Sequence, residues 1–282
     1  KITLIYKLLK KEVLKSNFIT MNFINKEYDN LHNVAVNYFN DYIKAEPFPH
    51  IVLDNFFNED LLKKIIEEFP KNLDKIGINN DSDPQKNKFT LNDYSKFGDN
   101  TKSLLNFTNS YEFIKFLNKI SGIKESLVSD PYFLGGGLHE LRDGGHLNIH
   151  SDFNKHQMIG LDRRINALIY LNPNWKSEYG GSLELWDKDL KKCIKKITPI
   201  FNRLVIFDTT DFSFHGNPDP INHPNKNVSR KSIALYYYSN GRPENEIHGV
   251  SDKPNFRNRP NTNDTSDKIT VYKKLFWKLF YK

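Results

Sequence analysis

Beyond Pro131 the chain becomes a succession of eight short β-rich runs, each bounded by turn residues: YFLGGGLHEL, HLNIH, INALIYLN, SLELWD, CIKKITPIF, RLVIFD, FSFHG and KSIALYYY. Strands this short and this closely spaced fold as a sandwich, a barrel or a jelly roll. Upstream the period changes. Residues 48–57 (FPHIVLDNFF) read as a strand entering a turn, and Asn58-Glu59-Asp60 opens a helix through LLKKIIEEFP that Pro70 stops. Residues 111–122 (YEFIKFLNKISG) give a second helix, closed by glycine. Between them, residues 79–100 are too polar to bury and too long for a simple turn, so a surface loop or a mobile lid with Gly98 as hinge is expected there.

The 282 residues suffice for one large domain or two small ones with a real core. The single cysteine, Cys193, can form neither an internal disulfide nor a thiolate zinc site, which suits a reducing, cytoplasmic setting. No apolar run reaches the ~20 residues a bilayer span needs, and the first residues lack a secretory pattern. The net charge of +7 sits at the ends: residues 1–20 carry +4 and residues 268–282 carry +5, which leaves −2 for residues 21–267. A body of that charge is not expected to track a phosphate backbone, so no nucleic acid is assigned to the core. Met21 opens a plausible start, so residues 1–20 read as a dispensable helix or an over-extended reading frame. The C-terminal ITVYKKLFWKLFYK has the make-up of an interfacial helix; a membrane surface, the protein's own body or a partner would use the same face.

Chemistry concentrates in the strand-rich block. His150-Ser151-Asp152 puts an imidazole and a carboxylate two positions apart where a strand gives way to a turn, and His215 in FSFHGNP adds a third ligand from a later strand. Two histidines and one carboxylate on one face of an octahedron leave three positions open, as non-haem Fe(II) oxygenases require. Arg230-Lys231-Ser232 follows, with a guanidinium and a hydroxyl two apart on a strand, able to bind one carboxylate together. Singly these pieces are weak; their order is specific. His139, His146 and His156 flank the motif, with His139 the best placed to line a pocket. Asp162, Arg163 and Arg164 could form a salt-bridged corner or touch substrate.

At these residues the chain resembles the Fe(II)/2-oxoglutarate-dependent dioxygenase superfamily, in its prolyl-hydroxylase-like branch. GGHLNIHSDFN, INALIYLNPNW, GGSLELWD, ITPIFNRLVIFD and HGNPDP…SRKSIALYYY follow the pattern in order across residues 134–238, and FPHIVLDNFFNEDLL is similar to the usual lead-in. The resemblance implies an α+β fold, a double-stranded β-helix (jelly roll) with supporting N-terminal helices. It implies His150, Asp152 and His215 as iron ligands, Arg230 and Ser232 on the distal carboxylate of 2-oxoglutarate, and Tyr170 as a helper. Leu147 and Ile169 depart from the branch, standing near places where tyrosine is common. The organisation expected is a helical extension (1–45), a helical support region (46–130) with the polar loop 79–100, the dioxygenase domain (131–240), and a polar tail with a basic aromatic helix (241–282).

The implied activity is hydroxylation of a C–H bond, with O₂ as oxidant, 2-oxoglutarate leaving as succinate and CO₂, and ascorbate as reductant. Related halogenases have a small residue in place of Asp152, so the aspartate favours hydroxylation. Peptidyl or free proline is the first substrate expected. Hydroxylation of a sugar, lipid or other small metabolite is the alternative, and a non-catalytic cupin-like module is a third, opposed by the complete set of ligands and arginine.

Overall fold

The computed structural model describes residues 22–247 and 249–264. The segments 1–20 and 268–282, including the C-terminal helix expected from the sequence, lie outside them. Twelve strands make one curled antiparallel sheet: β1 (His50–Asp54), β2 (Ile78–Asn79), β3 (Gln85–Leu91), β4 (Val128–Ser129), β5 (Gly137–Ser151), β6 (Asp162–Tyr170), β7 (Leu183–Trp186), β8 (Cys193–Ile197), β9 (Arg203–Asp208), β10 (His215–Asn217), β11 (Arg230–Ser239) and β12 (Asn255–Phe256). The main path runs β1-β9-β6-β11-β5-β10-β7-β8, with β3 and β12 also paired to β5. The jelly-roll expectation holds.

Strand β5 is what folds the sheet back on itself. Its first half pairs with β11, Leu141 opposite Arg230, and its second half pairs with β10, Leu147 opposite Asn217 and His150 opposite His215. Between the two halves lies Gly144, whose φ of 72° is in the left-handed region that side chains with a Cβ rarely occupy.

Alternation then sorts residues between two environments. On β11, Ile233, Leu235 and Tyr237 join the large core, where they meet Leu61, Leu62 and Ile65 of helix Glu59–Glu68 and Phe113, Phe116, Leu117 and Ile120 of helix Tyr111–Ser121. Their neighbours Arg230, Ser232 and Tyr236 face the space between the two halves of the sheet. That space has its own apolar floor, built from Phe48, Tyr170, Leu183, Leu185, Ile197, Val205 and Phe207. Helix Leu31–Ile43 buries Val34, Ala35 and Tyr42 into the same large core, so helices and sheet share one interior.

The polar stretch 79–100 differs from the loop expected of it. It contains β3 and the first turn of helix Asp99–Thr108. The physical reason is that only one face of β3 is apolar: Phe89 and Leu91 enter the helical core, while Lys88 and Thr90 face the space between the two halves of the sheet. Gly98 is a helix cap rather than a hinge. The Glu68 carboxylate packs against it and accepts the backbone N–H groups of Asn100 at 3.0 Å and Thr101 at 3.1 Å, satisfying two helix-terminal donors.

Candidate active site

His150 lies near the end of β5 and His215 opens β10, directly opposite it, while Asp152 stands just past the end of β5. One ligand atom from each of the three falls within 4.8 Å of the others. His150 Nε2 is 3.6 Å from Asp152 Oδ1, and His215 Nε2 is 3.5 Å from Asp152 Oδ2. Each ring is held from behind: His150 Nδ1 donates to the Asn148 carbonyl at 2.9 Å and His215 Nδ1 to the Ser213 carbonyl at 2.8 Å. A neutral imidazole that donates through Nδ1 has its lone pair on Nε2, here the atom turned toward the carboxylate. Burial pushes His215 down to about 4, against the pull of Asp152, so it is in its ligand form at neutral pH.

Asp152 is fixed by two donors on Oδ2, Asn166 Nδ2 at 2.7 Å and Arg163 Nη2 at 3.0 Å. Burial opposes its charge, but Arg163 and the two histidines outweigh it and hold the carboxyl well below the usual range. Arg163 is itself clamped between aromatic rings, its guanidinium carbon 4.4 Å from the Phe153 centroid and 3.5 Å from that of Tyr236. Both neighbouring arginines are salt-bridged, to different partners. Arg163 turns to Asp152 in the cluster with His150 and His215, whereas Arg164 is a separate corner, 2.8 Å from Glu125 and 3.5 Å from Glu246. Asp162 pairs with Lys155 at 3.1 Å.

Arg230, Ser232 and Tyr170 come together as well. Ser232 is the cross-strand partner of Tyr170 on one side and of His139 on the other. Arg230 is 4% exposed; its Nε donates to the Gly181 carbonyl at 2.8 Å and its Nη2 to the Tyr170 hydroxyl at 3.3 Å. Among the described residues no carboxylate pairs with it. A buried guanidinium without a counter-ion is costly, and a carboxylate ligand would relieve that cost bidentately. Ile169 faces the helical core, away from this cluster.

His139 is buried with Nε2 donating to the Gly135 carbonyl at 3.0 Å, and burial together with Lys88 drops it to about 3, so it is neutral. His156 pairs with Asp130 at 3.2 Å, a structural contact. Two contributors escaped the sequence. Lys88, half-buried on β3, lies among Asp152, Arg230 and Arg163; burial and the two arginines bring it down to about 8 despite Asp152. Phe256, in the polar segment after β11, pairs through β12 with β5 and sets its ring 5.1 Å from His150.

With this geometry in place, the comparisons fall on the same segment. Residues 136–238 match the family model described as the 2OG-Fe(II) oxygenase superfamily. Over this segment the chain is similar to the 2OG-Fe(II) oxygenases. Among curated proteins the chain is similar to prolyl 3-hydroxylase OGFOD1 of Mus musculus, 28% identical over 206 residues, and of Xenopus laevis, 27% identical over 182 residues. Those alignments cover 70% and 61% of this chain but 34% and 32% of the relatives, so the chain spans about a third of their length.

Two solved structures share this chain's fold. A Trichoplax adhaerens prolyl hydroxylase, in complex with a hypoxia-inducible-factor peptide fragment, aligns with a TM-score of 0.54 at 17% identity, covering 76% of this chain and 92% of that one. A Pseudomonas putida prolyl-4-hydroxylase aligns with a TM-score of 0.53 at 13% identity, covering 74% and 100%. Fe(II) and 2-oxoglutarate are the metal and cosubstrate of the superfamily, and the donor set of this domain suits both: two imidazoles with one carboxylate for the metal, a buried unpaired guanidinium for a dicarboxylate. No helix among the described residues is long and apolar enough to cross a membrane.

Proposed function

We propose that this chain is an Fe(II)- and 2-oxoglutarate-dependent hydroxylase acting on proline, free or within a peptide. The observation that carries the reading is a shared space: the imidazole–carboxylate cluster and the unpaired Arg230 both face the gap between the halves of the sheet. In this account His150, Asp152 and His215 are the metal ligands, and Arg230, Tyr170 and Ser232 take the distal carboxylate of the cosubstrate. When bound, iron and 2-oxoglutarate supply the oxidising power for C–H hydroxylation.

The chain's own residues orient and exclude. Asn166 and Arg163 fix the Asp152 carboxylate, leaving Oδ1 toward His150. The Asn148 and Ser213 carbonyls set the tautomer of the two histidines. Phe207, with its ring 4.7 Å from His215, and Phe256 beside His150 shield the cluster from water. Proline as substrate is supported by the names of the curated relatives, and the unpaired Cys193 supports a reducing compartment.

The experiment is incubation of the Fe(II)-loaded chain with 2-oxoglutarate, O₂, ascorbate and either L-proline or proline-containing peptides, read by mass spectrometry. Gain of one oxygen atom on proline with matching succinate is the expected result. Succinate formation driven by non-proline metabolites alone would overturn the proline assignment.

A further inference from the structure

Strand β3 brings one more cation to the site. Lys88 stands opposite Leu141 of β5 and Thr90 opposite His139; on the far side of β5 the same two residues stand opposite Arg230 and Ser232. Directly opposed residues on antiparallel strands project to one face of the sheet. Lys88 therefore shares a face with Arg230 and Ser232, and Phe89 and Leu91 on its other side enter the helical core. Its charged neighbours are Asp152, Arg230 and Arg163. Among the described residues it has no ion pair, and the one carboxylate near it, Asp152, already accepts from Arg163 and Asn166.

The charges of the proposed complex leave Lys88 over. A dicarboxylate seated between a divalent metal and Arg230 brings two negative charges and Asp152 a third, fewer than the positive charges of the metal, Arg163, Arg230 and Lys88 together. An ammonium in a half-buried pocket without a counter-ion selects for an anionic group on whatever enters.

We propose that Lys88 is a second carboxylate-binding residue of this pocket, an inference that rests on the hydroxylase reading above. The carboxylate has two sources: the metal-proximal end of 2-oxoglutarate, or the prime substrate, which would then be free proline rather than a proline within a peptide.

The test uses the full chain loaded with Mn(II), as wild type, Lys88→Met and Lys88→Arg, followed by calorimetry. The first arm titrates 2-oxoglutarate; the second titrates L-proline and L-prolinamide into protein already holding 2-oxoglutarate under nitrogen. Lys88→Met is expected to weaken carboxylate binding by about 10-fold or more, Lys88→Arg to restore most of it, and Mn(II) affinity and thermal midpoint to stay at wild-type values. Loss in the first arm assigns Lys88 to the cosubstrate. Loss of a wild-type preference for L-proline over L-prolinamide in the second assigns it to the substrate. Unchanged affinities in both arms overturn the proposal, as does equal loss in Lys88→Arg. Arg230→Ala separates the two layers: 2-oxoglutarate binding that ignores Arg230 would count against the site reading itself, and a wild type that binds no 2-oxoglutarate would overturn both.

Discussion

Arg163 holds Asp152 in place: its Nη2 lies 3.0 Å from Oδ2 of a carboxylate that has the Asn166 amide on the same oxygen at 2.7 Å. Removing one partner of a buried pair leaves the other charge unpaired, which costs about 3–5 kcal/mol. Arg163→Met is therefore expected to lower the unfolding free energy of metal-free protein by about that amount, and Asn166→Ala by about 1–3 kcal/mol, the cost of one buried hydrogen bond. Urea denaturation in the presence of a chelator measures both. Mn(II) should return part of the loss in Arg163→Met, because a cation at the cluster gives Asp152 a new partner.

In the proposed site, Arg230 separates from the His150, Asp152 and His215 cluster in its expected response to mutation. Arg230→Ala should raise the 2-oxoglutarate concentration needed for half-saturation by about 10-fold or more, since a charge-assisted bidentate contact is worth roughly 1.5–3 kcal/mol per hydrogen bond. Tyr170→Phe, which removes the hydroxyl 3.3 Å from Arg230 but leaves the ring beneath it, should cost less. Metal content should stay at wild-type level in both. Loss of metal in either variant would merge the two subsites into one.

Asp208 gives stability a pH signature. Burial raises its carboxyl to about 7, against the hydrogen bond that the Tyr42 hydroxyl donates to it at 2.6 Å. An unfolded aspartate titrates near ~3.9, so from about pH 4 to 7 the folded chain binds the proton more tightly. The stability associated with that proton is complete below the unfolded value and is lost as pH rises through about 7. His215 and His139, lowered to about 4 and about 3, work in the opposite sense at the acid end, with stability gained as pH rises toward ~6.5. The difference between wild type and Asp208→Asn isolates the aspartate. The advantage of Asp208→Asn should grow from pH 5 to pH 8 in thermal unfolding, and a flat difference would contradict the assignment.

How much of this the sequence could tell follows from which signals are local. The strands after Pro131 were legible because short apolar runs and turn residues alternate along the chain, and the H-x-D, distal His and R-x-S order singled out the residues that the fold brings together as the cluster His150, Asp152 and His215 and the buried Arg230. β3 was not legible, since its inward face looks into the polar space of the site and contributes Lys88 and Thr90 instead of apolar residues. Phe256 stood in a polar, proline-rich stretch whose pairing with β5 is a long-range contact. Arg163 and Arg164 are adjacent in sequence, and only the sheet register sends one to Asp152 and the other to Glu125. Gly98 looked like a hinge because the carboxylate that caps its helix, Glu68, lies in a different helix.

The most direct measurement of the central claim is succinate released from 2-oxoglutarate under air by the Fe(II)-loaded chain, compared with His215→Ala prepared in the same way. Wild type should form succinate in an O₂- and Fe(II)-dependent manner, and His215→Ala should fall to background, because two remaining ligands hold a divalent metal poorly. Equal succinate from both proteins, or none from wild type carrying stoichiometric iron, would contradict the account.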